Sequence, residues 1–156
     1  MTSHSYTRRN FIGAAISFVT MPKAIRGALA AQALPSVQAY RNPGCGCCEK
    51  WTEHMKAAGF EITMQDDPDL AARKSQLGVP DQLGGCHTAL ILDYIIEGHV
   101  PPEDIVRFLS EKPEALGLAV AGMPVGSPGM ETGESKEPYK VFAFRRDGSW
   151  SLYASH

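Results

Sequence analysis

No stretch of this chain is apolar for long enough to cross a membrane. The best candidate, Phe11 to Met21, falls well short of the ~20 residues a spanning helix needs, and Pro22, Lys23 and Arg26 interrupt its continuation. That argues against an anchor that is never cleaved. Internal repeats are missing as well, which sets aside solenoid architectures. Cysteine is sparse, with four in 156 residues, and none precedes Cys45. Basic residues thin out after the N-terminus: residues 34–156 keep 11 of the 15 Lys and Arg but all 17 Asp and Glu, a net charge near −6. An acidic domain of this kind does not fit nucleic acid or an anionic membrane surface as a partner.

What the N-terminus does contain is a basic pair ahead of the short apolar run. Thr7-Arg8-Arg9-Asn10-Phe11-Ile12 resembles a bacterial twin-arginine export signal, and Ala31-Gln32-Ala33 supplies the small residues of a cleavage site. Residues 1–33 therefore read as a signal peptide and 34–156 as the mature domain, working in the periplasm and free of the membrane after cleavage. The 123 residues that remain suit one domain with one core. All four cysteines lie in it, and the periplasm is oxidising, so two structural disulfides are the simplest account of them.

The order of elements is legible from periodicity and breakers. "SVQAYR" reads as a strand, and "CCEKWTEHMKAAGF" as a helix with Cys48, Trp51, Met55 and Ala58 on one face, stopped by Gly59. "EITMQ" is a second strand. A second helix, "PDLAARKSQLG", follows Pro68 with Asp67 as a cap and ends at Gly78. "TALILDYIIEGHV" suggests a hairpin broken at Asp93-Tyr94. Pro101 and Pro102 open a third helix with Ile105, Phe108 and Leu109 inward. Pro113 to Pro138 is rich in Gly and Pro and reads mostly as loop; "YKVFAFRRDGSWSLYAS" then forms two strands around Asp147-Gly148.

This order is that of a thioredoxin-like α/β domain, a central mixed sheet flanked by helices, here with a C-terminal Gly/Pro-rich loop and β-hairpin. Cys45-Gly46-Cys47-Cys48 falls at the first strand-to-helix turn, where that fold carries a Cys-x-x-Cys pair. Backbone N–H groups at a helix N-terminus favour thiolates, which are both nucleophiles and ligands for soft metals. Three features favour metal. A dithiol enzyme has no need of Cys47. The stretch "GGCHTALI" carries Cys86-His87-Thr88 where thioredoxin-like oxidoreductases place a cis-proline, so Cys86 should face the first turn and bring four sulfurs together. Finally, "AGMPVGSPGME" presents Met123 and Met130, and thioether plus thiolate is the set that selects Cu(I).

"NPGCGCCEKW", "GCHTALILDYIIEGHVP" and "AGMPVGSPGME…KEPYKVFAF" together resemble the exported, metal-binding CopG-type family associated with copper resistance in Gram-negative bacteria, which is unrelated to the ribbon-helix-helix repressors of that name. The resemblance covers roughly residues 36–154. It implies a thioredoxin-like fold, periplasmic copper binding and a role in copper tolerance, with Cys45, Cys47, Cys48 and Cys86 matching the family's thiols. It leaves open how the copper is used.

Other candidates divide by position. His87 adjoins Cys86, but one step along a strand turns a side chain to the opposite face. His99 lies at the start of the third helix, near the same end of the sheet. His54 reads as a surface residue, Met55 as core, and Met123 and Met130 as either ligands or the packing of a loop lid. The reading is a periplasmic copper-binding protein acting in copper resistance, with Cu(I), in more than one equivalent, at Cys45, Cys47, Cys48 and Cys86. Met123, Met130, His87 and His99 are secondary ligand candidates. Copper ions and periplasmic copper-handling or efflux proteins are the expected partners. Two alternatives stand beside it: a thiol-disulfide oxidoreductase using Cys45 and Cys48, and a structural zinc domain with four thiolates.

Overall fold

A computed structural model describes residues 33–133 and 135–156, together with Met1. Residues 2–32, nearly all of the segment read as an export signal, lie outside the described residues. Seven strands and three helices follow in the order β1 (Val37–Arg41), α1 (Gly46–Ala57), β2 (Ile62–Asp66), α2 (Leu70–Leu77), β3 (His87–Ile91), β4 (Tyr94–Glu97), α3 (Pro102–Glu111), β5 (Gly117–Ala119), β6 (Lys140–Phe144) and β7 (Trp150–Ser155), with a 3₁₀ turn at Asp81–Leu83. No helix among them is long and apolar enough to cross a membrane.

The strands form one mixed sheet in the order β2-β1-β3-β4-β5-β6-β7. β1 runs parallel to β2 and antiparallel to β3, and β3 pairs antiparallel with β4. With α1 and α2 as crossovers, this half is the thioredoxin-like arrangement expected from the sequence. β4 then pairs in parallel with β5, and β6 and β7 continue antiparallel to the edge.

β5 corrects the reading of Pro113–Pro138 as mostly loop. Three residues, one of them glycine, carry too little local β preference to stand out; their pairing with Ile95–Glu97, more than twenty positions earlier, makes the strand. Three smaller corrections concern ends. The β3–β4 turn falls at Leu92-Asp93, one residue before the expected break. Ala58 is exposed, because α1 ends at Ala57 and its apolar face ends at Met55. Asp67 is not the N-cap of α2, which is Asp69; instead its carboxylate accepts the Asp69 N–H at 3.0 Å and pairs with Arg73.

The core lies between the sheet and its helices. Trp51 and Met55 of α1 and Ile105 and Phe108 of α3 are fully buried with Ala89, Ile91, Ile96 and Leu118 of the strands. Removing that much apolar area from water is the main favourable term. Trp51 also does positional work, since its indole N–H donates to the Val100 carbonyl at 2.9 Å and ties α1 to the chain just ahead of α3. The long loop before β6 packs back on the first turn of α1: a Cβ at Gly129 would sit 2.7 Å from both the Cys47 carbonyl and the Trp51 nitrogen, so only glycine, here at φ +88°, allows the approach.

Candidate metal centre

Two parts of the chain meet where β1 ends and β3 begins. The first is the turn from β1 into α1. Arg41, the last residue of β1, donates to Asp66 at 2.7 Å, to Glu49 at 2.8 Å and to the Cys45 carbonyl at 3.1 Å, so one guanidinium holds β2, α1 and the turn together. Cys45 is the N-cap and Cys47 and Cys48 lie in the first helical turn, where the uncapped N–H groups favour negative charge. Cys45 and Cys48 are joined by a disulfide, whereas Cys47 and Cys86 are free thiols. A single bridge replaces the two that the simplest account of the cysteines would have required.

The second part is the loop entering β3 and the segment leaving β4. Cys86 Sγ lies 3.3 Å from Cys48 Sγ and 3.6 Å from Cys47 Sγ, and Cys45 and Cys47 are 3.3 Å apart at sulfur. All four sulfurs fall within 4.8 Å of one another, so the convergence expected from the fold is realised. Cys86 also belongs to a second group. Its sulfur is 2.9 Å from His99 Nε2 and 3.5 Å from His87 Nδ1. These three donor atoms likewise lie within 4.8 Å of one another.

The place of His87 corrects the alternation argument. β3 begins at His87, and Cys86 lies in the preceding bend, so the pleat that would turn neighbours apart has not started. His87 is fully buried, with its ring 4.3 Å from Trp51 and 5.0 Å edge-on from His99, and its Nε2 has no hydrogen-bond partner. An orphaned nitrogen in so dry a place is costly unless something else satisfies it. His99 is oriented by the loop: its Nδ1–H donates to the Pro128 carbonyl at 2.8 Å, which leaves the Nε2 lone pair facing Cys86.

The charges fit neutral donors. Burial holds the His87 imidazole well below its ordinary range, with the nearby His99 and Lys74 charges pushing the same way. Burial lowers His99 too, against the opposing pull of the Pro128 carbonyl. Cys86 is pushed up to about 12, first by burial and then by Cys47, so without metal it is a thiol donating to His99. Two imidazole nitrogens, His87 Nδ1 and His99 Nε2, and four sulfurs make a set that suits a soft ion better than a hard one.

The methionines separate. Met130 is half-buried and lines a surface cavity of about 660 Å³ together with Cys47, Glu49, Glu53 and Glu131. Met123 is 53 % exposed and is not among the residues lining that cavity. His54 is a surface residue as expected, 2.8 Å from Glu131.

One group escaped the sequence reading altogether. Glu97, at the end of β4, is fully buried; its carboxylate accepts from the Gly85 N–H at 2.6 Å and the Thr88 hydroxyl at 2.6 Å and pairs with Lys74. The signal was available, since a lone acidic residue ends the apolar run "YIIE".

Comparison with known proteins bears on what such a centre is for. A family described only as a protein of unknown function, DUF411, matches residues 83–130, the span that holds Cys86, His87, His99 and both methionines. Two solved structures share the architecture and much of the sequence. "Copper resistance protein CopG, Form 1" is 44 % identical, covering 78 % of this chain and 98 % of that one with a TM-score of 0.74. The chain belongs to the CopG copper resistance family. Form 2 agrees, at 43 % identity, 79 % and 98 % coverage and a TM-score of 0.75. No curated protein matches the sequence. Membership in the CopG family gives the cysteine cluster a copper-related setting, and among the described residues the donors set out above are grouped closely enough to hold a metal ion.

Proposed function

We propose that this chain is a periplasmic copper-binding protein that holds Cu(I), more than one ion at a time, and thereby limits copper toxicity. The observation that carries the reading is the double membership of Cys86, whose sulfur is common to a four-sulfur group and to a group with two imidazoles. A shared thiolate is the ordinary way for sulfur to bridge soft metal ions, and four thiolates carry more negative charge than one Cu(I) neutralises. Cys45, Cys47, Cys48 and Cys86 are the principal ligands, with His87 and His99 on the nitrogen side and Met130 at the opening. All four sulfurs are available as thiolates only in the reduced chain, so the Cys45–Cys48 disulfide and a metal bound by both are alternatives. The export motif at residues 7–12 supports the periplasmic assignment. Copper-handling or efflux proteins of that compartment are the partners this role calls for.

The Cys45–Cys48 disulfide favours a second reading, a thiol-disulfide oxidoreductase. Against it, such an enzyme has no need of Cys47 or Cys86, both free thiols beside the pair, and no cis peptide bond occurs among the described residues at the place where such enzymes bind substrate. A structural zinc site would leave the imidazoles idle. The test is metal analysis of the protein isolated from the periplasm, together with a free-thiol count. Copper in excess of one equivalent, with thiols protected until it is removed, is expected; one zinc, or no metal with a stable disulfide, would refute the reading.

A further inference from the structure

The backbone of Gly85, the residue just ahead of Cys86, is held from both sides by an ion pair whose carboxylate is fully buried. Glu97 accepts the Gly85 N–H at 2.6 Å, and Lys74, paired with that same carboxylate, donates to the Gly85 carbonyl at 3.1 Å. The second carboxylate oxygen takes the Thr88 hydroxyl at 2.6 Å, two residues beyond Cys86. Gly85 in turn lies flat against Gly98: a Cβ on Gly85 would stand 2.7 Å from the Gly98 Cα. Gly98 precedes His99 and its N–H donates to the His87 carbonyl at 3.0 Å. The ion pair therefore clamps together the backbone on either side of Cys86 and the backbone that carries His99.

We propose that Glu97 and Lys74 are positioning residues of the metal centre, fixing the Gly85 backbone so that Cys86 Sγ and His99 Nε2 are presented to the α1 thiols before metal arrives. Burying a charged pair is expensive, and well-packed apolar residues often serve stability as well. What an ion pair adds is direction. A carboxylate takes hydrogen bonds from three donors at once, and here those donors are the two neighbours of the Cys86–His87 step and the lysine that grips Gly85 from its other side. Outer groups that orient ligands govern affinity even though they never touch the ion.

This inference rests on the copper reading, and the experiment separates the two. Glu97→Gln and Thr88→Val are compared with wild type by competition with a Cu(I) chelator, by copper-to-protein ratio, and by the sulfur-to-copper absorption of the loaded protein. The reduced metal-free proteins are compared by alkylation rate at Cys86 and by thermal unfolding. Glu97→Gln should weaken Cu(I) binding about 10–100-fold, lower the ratio, shift the absorption and speed Cys86 alkylation, and Thr88→Val should do the same to a smaller degree. Unchanged affinity, ratio and alkylation with only a lower unfolding temperature would overturn the positioning role. If Glu97→Gln does not fold, Thr88→Val and the neutral pair Glu97→Gln/Lys74→Met are read in the same assays with the same two outcomes. Wild-type protein that takes up no Cu(I) would refute the copper reading, and this inference with it.

Discussion

The donors at the start of α1 and the donors brought in by β3 and β4 are held in opposite ways. Cys45, Cys47 and Cys48 lie within four positions on a turn whose cap makes no side-chain hydrogen bond, and two of them are only partly buried. They can close on each other as a disulfide or open toward a metal. Cys86, His87 and His99 come from residues up to thirteen positions apart, and each is fixed by a partner outside the centre: the clamp on Gly85, the Trp51 ring, the Pro128 carbonyl. One side adapts and the other is set in advance. The proposed copper centre gains from that division, because the cost of ordering on metal uptake falls on only half of the ligands.

The sharpest way to break this contrast is at the atom both sides share. Cys86→Ser should lower Cu(I) affinity by more than ~100-fold, beyond the range for outer residues, while leaving the unfolding temperature nearly unchanged. Chelator competition and thermal melts read the two effects. Unchanged affinity with a stability loss of roughly 2–5 kcal/mol would mean that Cys86 serves as a disulfide partner instead.

Next in size is the loss of one thiol from the adaptable side. Cys47→Ser should damage copper tolerance in cells about as much as Cys45→Ser, since a copper site needs its sulfurs together. Efficient turnover of a model disulfide by the copper-free protein, surviving Cys47→Ser and lost with Cys45→Ser, would make the turn a redox motif with a bystander inside it.

The preset side should also reveal itself by pH. His87 is held below its ordinary range by burial, so the unfolded chain binds its proton first as pH falls. Stability of the reduced metal-free protein is then present above the ordinary histidine range and lost on acidification through it, with a slope of at most about 1.4 kcal/mol per pH unit for one proton. His87→Leu should flatten that slope, and denaturant unfolding at several pH values would show it; a slope identical to wild type would contradict the neutral buried state.

How much of this was legible in the sequence follows the same division. The α1 turn could be read directly, because its three cysteines are contiguous and the strand-turn-helix pattern around them is local. Cys86 was placed through the fold, and correctly brought to the turn. For His87 the alternation rule misleads, because it holds for strand interiors and not at a strand's first residue. Glu97 was missed because an acidic residue at the end of an apolar run declares itself as a clamp only when Gly85 and Lys74 are seen around it. β5 was missed for a related reason: its pairing partner, not its composition, makes it a strand.

The methionines should contribute least. Met130 borders the cavity that opens on Cys47, and Met123 is largely exposed. Met130→Leu should therefore cost a few-fold in copper uptake and Met123→Leu less, both under ~10-fold and below the range for orienting residues. Cell growth at graded copper concentrations would order them, and a Met123→Leu defect as large as that of Cys86→Ser would place the loop inside the centre.

The most direct test of the whole account is an anaerobic titration of the reduced protein with Cu(I) in the presence of a strong chelator. Sulfur on an adaptable turn, bridged by Cys86 to a preset pair of imidazoles, should take up more than one equivalent of copper and hold it against the competitor. Saturation by a single zinc ion that copper fails to displace would contradict it.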